Sequence, residues 1–394
     1  MMIIQQQFDV RFDYPVIFTN DLFSISNKLL CQLFESLQKD QPAKVFFVVD
    51  TGVAEAHPQL EQRIMDYCDQ YDDHMELLAP ILLLEGGEGV KNSLSPLKTV
   101  LSAINDYAID KHAYVIAIGG GAVLDAVGFA AAVAHRGVRH IRIPTTVLSQ
   151  DDSGVGVKNG INAFGKKNFL GAFAPPQAVI NDTLFLKTLC DRDWFGGVSE
   201  AVKVALIKDR EFFEQIEKEA PALVNRDLGA MGRVVYRCAE LHSEHIGGSG
   251  DPFEKGTSRP LDFGHWAAHK LEQMTNYQLR HGEAVAIGIA LDVTYSYLTE
   301  RLSEQEWERI MGVLQVLQLP IYHKALEEKL VEDDFPLVLE GLQEFQEHLG
   351  GELTIMLLEQ IGRGVEVHCM DTPLLIKAIN RLREYAEKEL AEKY

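Results

Sequence analysis

Two imidazoles four residues apart, His265 and His269, stand in Gly264-His265-Trp266-Ala267-Ala268-His269 and share one face of a helix. A third, His281, opens His281-Gly282-Glu283. A carboxylate, Glu200, sits in Gly196-Gly197-Val198-Ser199-Glu200-Ala201-Val202-Lys203. A carboxylate and two imidazoles can hold Zn²⁺ or another divalent ion and leave coordination positions for a substrate oxygen. Spacing alone does not choose among the histidines, of which the chain has 13. Cys238, His242 and His245 form a rival set, weakened by the lack of a second cysteine.

A second chemistry is anion binding. Gly119-Gly120-Gly121-Ala122-Val123-Leu124-Asp125 follows an apolar run and opens a helical pattern. Glycines there admit a pyrophosphate to the N–H groups and positive dipole of a helix start. The turn is not a strict G-x-G-x-x-G, so a plain tight turn accounts for it equally well. Asp50 and Glu88 close two earlier strand-like runs. Either can accept hydrogen bonds from ribose hydroxyls, although a solvated strand-end carboxylate is the commoner outcome. Residues 152–168 carry Lys158, Lys166, Lys167 and Asn168 among glycines. Taken with Arg136, Lys203 and the histidines, this segment reads as part of a phosphate pocket.

These residues need a scaffold. Apolar runs at 44–49, 80–84, 113–118 and 140–143 alternate with helix-like stretches near 53–69, 92–109 and 122–135. That alternation predicts βαβ units and a parallel sheet, with ligands beyond the carboxyl ends of the strands. Residues 153–173 read as a structured loop or hairpin. Beyond about 184 the pattern is mainly helical, with helices expected near 193–208, 228–246, 262–276, 281–299, 303–317 and 371–392 and a strand at 353–358. The expected architecture is α/β: a Rossmann-like dinucleotide-binding domain over 1–183, then a mainly helical metal- and substrate-binding domain over 184–394, with the active site in the cleft at their junction.

Composition supports a folded enzyme. The 394 residues are 46% hydrophobic and 24% charged, enough for sizeable cores. A net charge of −21 excludes nucleic acid and anionic membranes as partners and forces any phosphorylated ligand into a local cationic pocket. The five cysteines are scattered, with no C-x-x-C. No signal-like start and no apolar run of roughly 20 residues occurs, so the cytoplasm is the expected location.

Together the blocks GGGAVLDAVGFAAAVAHRGVRHIRIPTT (119–146), DDSGVGVKNGINAFGKKNFLGAF (151–173), GGVSEAVK (196–203) and LDFGHWAAHK…LRHGEAVAIG (261–288) resemble the sugar phosphate cyclase superfamily, whose best-known member is 3-dehydroquinate synthase. The resemblance spans about 44–368 and implies the same two-domain fold. It implies Glu200, His265 and His281 as ligands of Zn or Co. It implies NAD contacts at Asp50, Glu88, Lys91, Gly120, Gly121, Asp125, Thr145, Thr146, Lys167, Phe185 and Thr188. Catalytic and substrate-lining roles fall to Asp152, Lys158, Asn168, Lys203 and His269. Arg136 matches an arginine that reaches the phosphate of a neighbouring subunit, which implies a homodimer. The family reaction oxidises a ring alcohol with NAD⁺, eliminates phosphate beside the new ketone, returns the hydride, and closes a carbocycle by an aldol step.

Three positions depart from 3-dehydroquinate synthase. His242 in AELHSE stands where that enzyme has a substrate-binding lysine. Ser258, with Arg259 adjacent, stands where it has an arginine. Asp262 in LDFGH replaces an asparagine and resembles the cyclases of sedoheptulose 7-phosphate. His348 stands near the family's basic C-terminal loop. These changes remove cations and add negative charge, which favours a sugar phosphate substrate without a carboxylate. Other readings are a genuine 3-dehydroquinate synthase, a metal-dependent polyol dehydrogenase of the glycerol dehydrogenase type, and a non-catalytic metabolite-binding scaffold. The lysine-rich segment argues against the polyol enzyme, and the retained Glu200, His265, His281, Lys158 and Lys203 argue against the scaffold.

Overall fold

The computed structural model describes residues 2–38, 41–164, 166–248, 251–253, 260–329 and 335–392. The chain divides into two units, one of Met1–Thr145 with Gly156–Leu184, the other of Thr146–Val155 with Phe185–Tyr394. Division at 183/184 alone would leave residues 146–155 with the first unit. They pack instead against helices of the second, because Gly197 lets a helix backbone approach Val147 and Leu148, where a Cβ would lie 2.4 Å from Val147 Cβ.

The first unit is built on a seven-stranded parallel sheet. Its strands are β1 (Val16–Thr19), β2 (Ala43–Asp50), β3 (Met75–Leu77), β4 (Leu82–Leu84), β5 (Tyr114–Gly119), β6 (Arg139–Pro144) and, after a hairpin of β7 (Lys158–Ala163) and β8 (Lys166–Phe173), β9 (Ala178–Asp182). The order is β1-β9-β6-β5-β2-β3, with β4 also paired to β2. The central strands read as continuous apolar runs because both faces are covered. Phe46, Val48, Val115 and Ala117 pack on one face with Val100, Ile104, Val123, Val127 and Ala130 from the Leu94–Asp106 and Gly121–Val133 helices. On the other face Phe47 meets Phe23 edge-on at 6.0 Å and Tyr114 meets Phe34 at 5.2 Å.

The helix expected over 53–69 is two helices, Thr51–Ala56 and Leu60–Gln70. Pro58 explains the break, since it disfavours helical geometry at His57. Strands β1, β3 and β9 and the helix Leu29–Leu37 had no clear signal, being short and framed by irregular chain.

The second unit is helical around the Ser149–Ser153 turn. Its helices include Asp191–Lys208, Arg210–Val224, Leu228–Gly248, His265–Met274, His281–Leu298, Glu304–Val316, Glu340–Leu349 and Thr372–Glu392, with an antiparallel pair β10 (Ile355–Gln360) and β11 (Arg363–Val367). The His281–Leu298 helix is buried on all sides from Ala284 to Ser296. Thr294 and Ser296 satisfy their hydroxyls on the carbonyls of Ala290 and Asp292, each at 2.7 Å. The Arg210–Val224 helix escaped expectation because Pro221 lies inside it. Among the described residues, no helix is long and apolar enough to cross a membrane.

Candidate functional site

Glycines bring three helices of the second unit together. A Cβ on Gly282 would lie 2.0 Å from Gly196 O, and one on Gly288 would lie 2.0 Å from Gly264 O. These are backbone-to-backbone crossings that no larger residue allows. Gly264 also takes φ +77° just before His265.

The crossings gather Glu200, His265 and His281. Their candidate ligand atoms lie within 4.8 Å of one another. Glu200 is fully buried, with His265 Nε2 at 3.5 Å and His281 Nε2 at 3.6 Å from its Oε1. Lys203, one turn on and also buried, ion-pairs with its Oε2. Among the described residues no hydrogen bond reaches either Glu200 oxygen. Burial pushes the Glu200 pKa up, but Lys203 and the two imidazoles outweigh it and hold the carboxyl well below its ordinary range. Both imidazoles are fixed through Nδ1, His265 on Phe263 O at 3.1 Å and His281 on Glu272 Oε2 at 3.2 Å. That pattern turns Nε2 toward Glu200, as metal-binding histidines are oriented. A buried carboxylate with Lys203 on one oxygen and two oriented imidazoles facing the other fits a divalent cation.

His269 stacks on His281 at 6.0 Å, beside this group. His269, Glu272 and His281 form a second set close enough to share an ion. Glu272 was missed in the sequence, although it continues the helical stripe of His265 and His269.

Acidic residues of the 146–155 segment join the cluster. Asp152 Oδ1 lies 2.9 Å from His242 Nδ1. Burial raises the Asp152 pKa, but His242 and Lys203 hold it at about 2. Burial lowers the pKa of Lys203, but Glu200, Asp152 and Asp262 raise it above the ordinary lysine value. Asp151 is fully buried, with neither oxygen hydrogen-bonded among the described residues. Burial first, then Asp152 and Glu200, push its pKa well up. The sequence resemblance singled out Asp152 alone, and nothing in the sequence marked Asp151. The rival set does not assemble: His242 faces Asp152, whereas His245 Nδ1 lies 3.0 Å from Lys208 Nζ.

In the first unit the turns at the carboxyl ends of β2, β4 and β5 converge on Asp50. Its carboxylate accepts from Gly52 N at 2.8 Å, and a Cβ on Gly86 would lie 2.3 Å from its Oδ2. Gly120 caps the Gly121–Val133 helix. Lys91, buried, donates to Asp125 at 2.8 Å, so two residues expected at NAD neutralise each other. Glu88 Oε1 accepts from Asn162 Nδ2 at 3.3 Å. Thr145 is buried at the end of β6, its hydroxyl without a hydrogen bond among the described residues. Such an orphan, beside a glycine-capped helix start, suits a bound dinucleotide.

The hairpin separates the expected lysine cluster. Lys158 pairs with Phe173 at the open end, while Lys166, Lys167 and Asn168 lie near the turn. The strand register, unreadable from composition, causes this. In the second unit Thr146 and Ser149 cap each other, with hydroxyls 2.8 Å apart. Phe185 is buried, and Thr188 Oγ1 donates to its carbonyl at 3.3 Å. Arg136 is exposed with φ +64°. Asp262 lies in the Pro260–Asp262 turn. Ser258, Arg259 and the side chain of His348 lie outside the described residues.

Models of the 3-dehydroquinate synthase N-terminal and C-terminal domains match residues 81–195 and 197–336. A 2-epi-5-epi-valiolone synthase of an Actinomyces species is 31% identical, over 96% of this chain and 97% of its own. A 3-dehydroquinate synthase of Psychrobacter cryohalolentis is 32% identical, over 92% of this chain and 93% of its own. The solved 2-epi-5-epi-valiolone synthase of Streptomyces hygroscopicus, which holds NAD⁺ and Zn²⁺, superposes with a TM-score of 0.84 at 27% identity, covering 97% of this chain and 100% of that one.

Proposed function

This chain belongs to the 3-dehydroquinate synthase family of sugar phosphate cyclases, and from that premise we propose that it cyclises a heptulose phosphate whose head carries no carboxylate. Glu200, His265 and His281 hold a divalent ion of the Zn²⁺ or Co²⁺ class, and NAD lies on the 119–125 turn with Asp50 and Thr145 beside it. The buried Glu200, ion-paired to Lys203 through Oε2 and facing two oriented imidazoles with Oε1, carries this reading. When bound, the ion would supply Lewis-acid polarisation of a substrate oxygen and NAD would supply reversible hydride chemistry.

The chain's own residues do the rest. Glu272 and the Phe263 carbonyl keep the two imidazoles aimed. Lys203 donates to a substrate oxygen and stabilises charge as a hydroxyl loses its proton. Asp152, kept ionised, accepts a hydrogen bond from a second hydroxyl. His269 and Lys158 serve the phosphate, and Arg136 reaches the phosphate held by a second subunit of a cytoplasmic homodimer.

The substrate head follows from charge. Lys203 is already matched by Glu200, Asp152 and Asp262, and His242 is engaged with Asp152. Among the described residues, a carboxylate brought here meets negative charge, and Lys203 is already matched by acidic partners. Charge-assisted hydrogen bonds are worth roughly 1.5–3 kcal/mol each, so two missing ones correspond to about two to four orders of magnitude. We expect kcat/KM for sedoheptulose 7-phosphate to exceed that for the carboxylated precursor of dehydroquinate by at least about 100-fold, measured as phosphate release with NAD⁺ and Zn²⁺ or Co²⁺. The reverse ratio makes the chain a 3-dehydroquinate synthase, and stoichiometric NADH makes it a polyol dehydrogenase.

A further inference from the structure

The chain leaves apolar surface in water just before its first strand. Residues 2–15 form neither helix nor strand. Met2, Ile3, Ile4, Phe8, Val10 and Phe12 are exposed, Phe8 at 81% and Val10 at 61%. Exposed apolar clusters of this kind mark interaction surfaces. The arm runs directly into β1, which pairs with β9 and ends the sheet. An end strand of a sheet offers a template for a further strand.

The residues of the arm specify the partner. In extended chain Phe8, Val10 and Phe12 face one side, and Asp9 and Arg11 face the other. The block Phe8-Asp9-Val10-Arg11-Phe12 is self-complementary about its centre. Laid antiparallel on a second copy with Val10 opposite Val10, Phe8 meets Phe12 and Asp9 meets Arg11, each twice by symmetry. A slip of one residue sets charges against apolar side chains. A slip of two sets Arg11 against Arg11 or Asp9 against Asp9, and parallel pairing does both. Direction and register are therefore specified by charge.

We infer that residues 8–12 of two copies of this chain pair antiparallel about a two-fold axis at Val10, as an isologous contact of the homodimer. The apolar residues form one face of the ribbon and two Asp9–Arg11 pairs form the other. A two-stranded ribbon is marginal alone, so the pairing strengthens a dimer that has further contacts. The inference turns on the arm and stands apart from the catalytic reading.

Sedimentation of the full chain over a dilution series tests it. Asp9→Arg and Arg11→Asp singly place like charges opposite each other twice, and each raises the dimer dissociation constant about tenfold. The double variant Asp9→Arg/Arg11→Asp restores it to within about twofold. In a background with exposed Cys190 and Cys369 changed to serine, Val10→Cys gives a symmetric disulfide dimer on mild oxidation, and Asp9→Cys crosslinks to Arg11→Cys only when the two are mixed. Single variants without effect, a double variant that stays weak, or a wild type that is monomeric throughout would each overturn the pairing. A lower Tm with unchanged assembly places the arm on its own subunit and overturns it too. Phosphate release, measured separately, reports on the catalytic reading whatever the arm does.

Discussion

Glu272 shows how much of the proposed metal seat lies behind its direct ligands. Its carboxylate takes His281 Nδ1 at 3.2 Å, so it sets which nitrogen faces Glu200. Glu272→Gln keeps the shape and weakens that hold. We expect metal affinity, measured by chelator competition, to fall about 10- to 100-fold with the folded structure retained. Unchanged affinity would remove Glu272 from the seat. His281→Ala is expected to lose bound metal outright. Asp292 offers a second residue-scale test. It is buried, accepts from Gly264 N at 3.0 Å and Trp266 Nε1 at 2.9 Å, and burial pushes its pKa up to about 7 despite those hydrogen bonds. The folded chain therefore keeps a proton that the unfolded chain loses above its ordinary carboxylate pKa. That contribution is fully present below about pH 4 and is lost as pH rises through about 7. Asp292→Asn abolishes it, so the stability gap between wild type and variant, from urea midpoints, should shift in the variant's favour between pH 5 and 8. A gap that does not move with pH shows Asp292 to be unshifted.

At the scale of elements, the seat depends on helices touching backbone to backbone. A Cβ on Gly288 meets Gly264 O, which cannot give way without moving the start of the His265 helix. Gly288→Ala is expected to cost about 1–3 kcal/mol or more and to weaken metal binding together with stability. Gly312 is the control, since nothing lies within 4 Å of its added Cβ in the Glu304–Val316 helix. Gly312→Ala should stabilise by about 0.5–1 kcal/mol through helix propensity. Equal effects from the two would mean that Gly288 is not a crossing point. This contrast marks what could be read in advance. The parallel sheet was legible because both-face burial writes itself as apolar runs such as Phe46–Val49, and the His265 and His281 helices because their motifs are dense. The chain also shows the glycines, but not that Gly288 meets Gly264 while Gly312 meets nothing. Which residues of a helix face become neighbours is decided by partners far away in sequence. The burial of Asp151 was invisible for the same reason, and the hairpin spread Lys158 away from Lys167 because strand register sets that distance.

At the scale of the whole molecule, the net charge of −21 acts on every phosphorylated substrate before any pocket does. The repulsion is long-ranged, arising from carboxylates spread over the surface of 44.1 kDa of protein. The attraction is short-ranged, arising from Lys203 and the few cations near the site. Salt separates the two. The Debye length falls from about 30 Å at 0.01 M ionic strength to about 10 Å at 0.1 M, so distant charges are screened first while buried contacts within a few ångströms of the ligand are screened much less. Over that range kcat/KM for a sugar phosphate should therefore rise several-fold, with kcat at saturation nearly unchanged. Enzymes with a positive funnel show the opposite slope. Measured initial rates at low substrate against ionic strength decide it: a fall in kcat/KM with added salt would mean that cations around the site mouth outweigh the acidic surface, and that the approaching phosphate is steered in rather than merely held once it arrives.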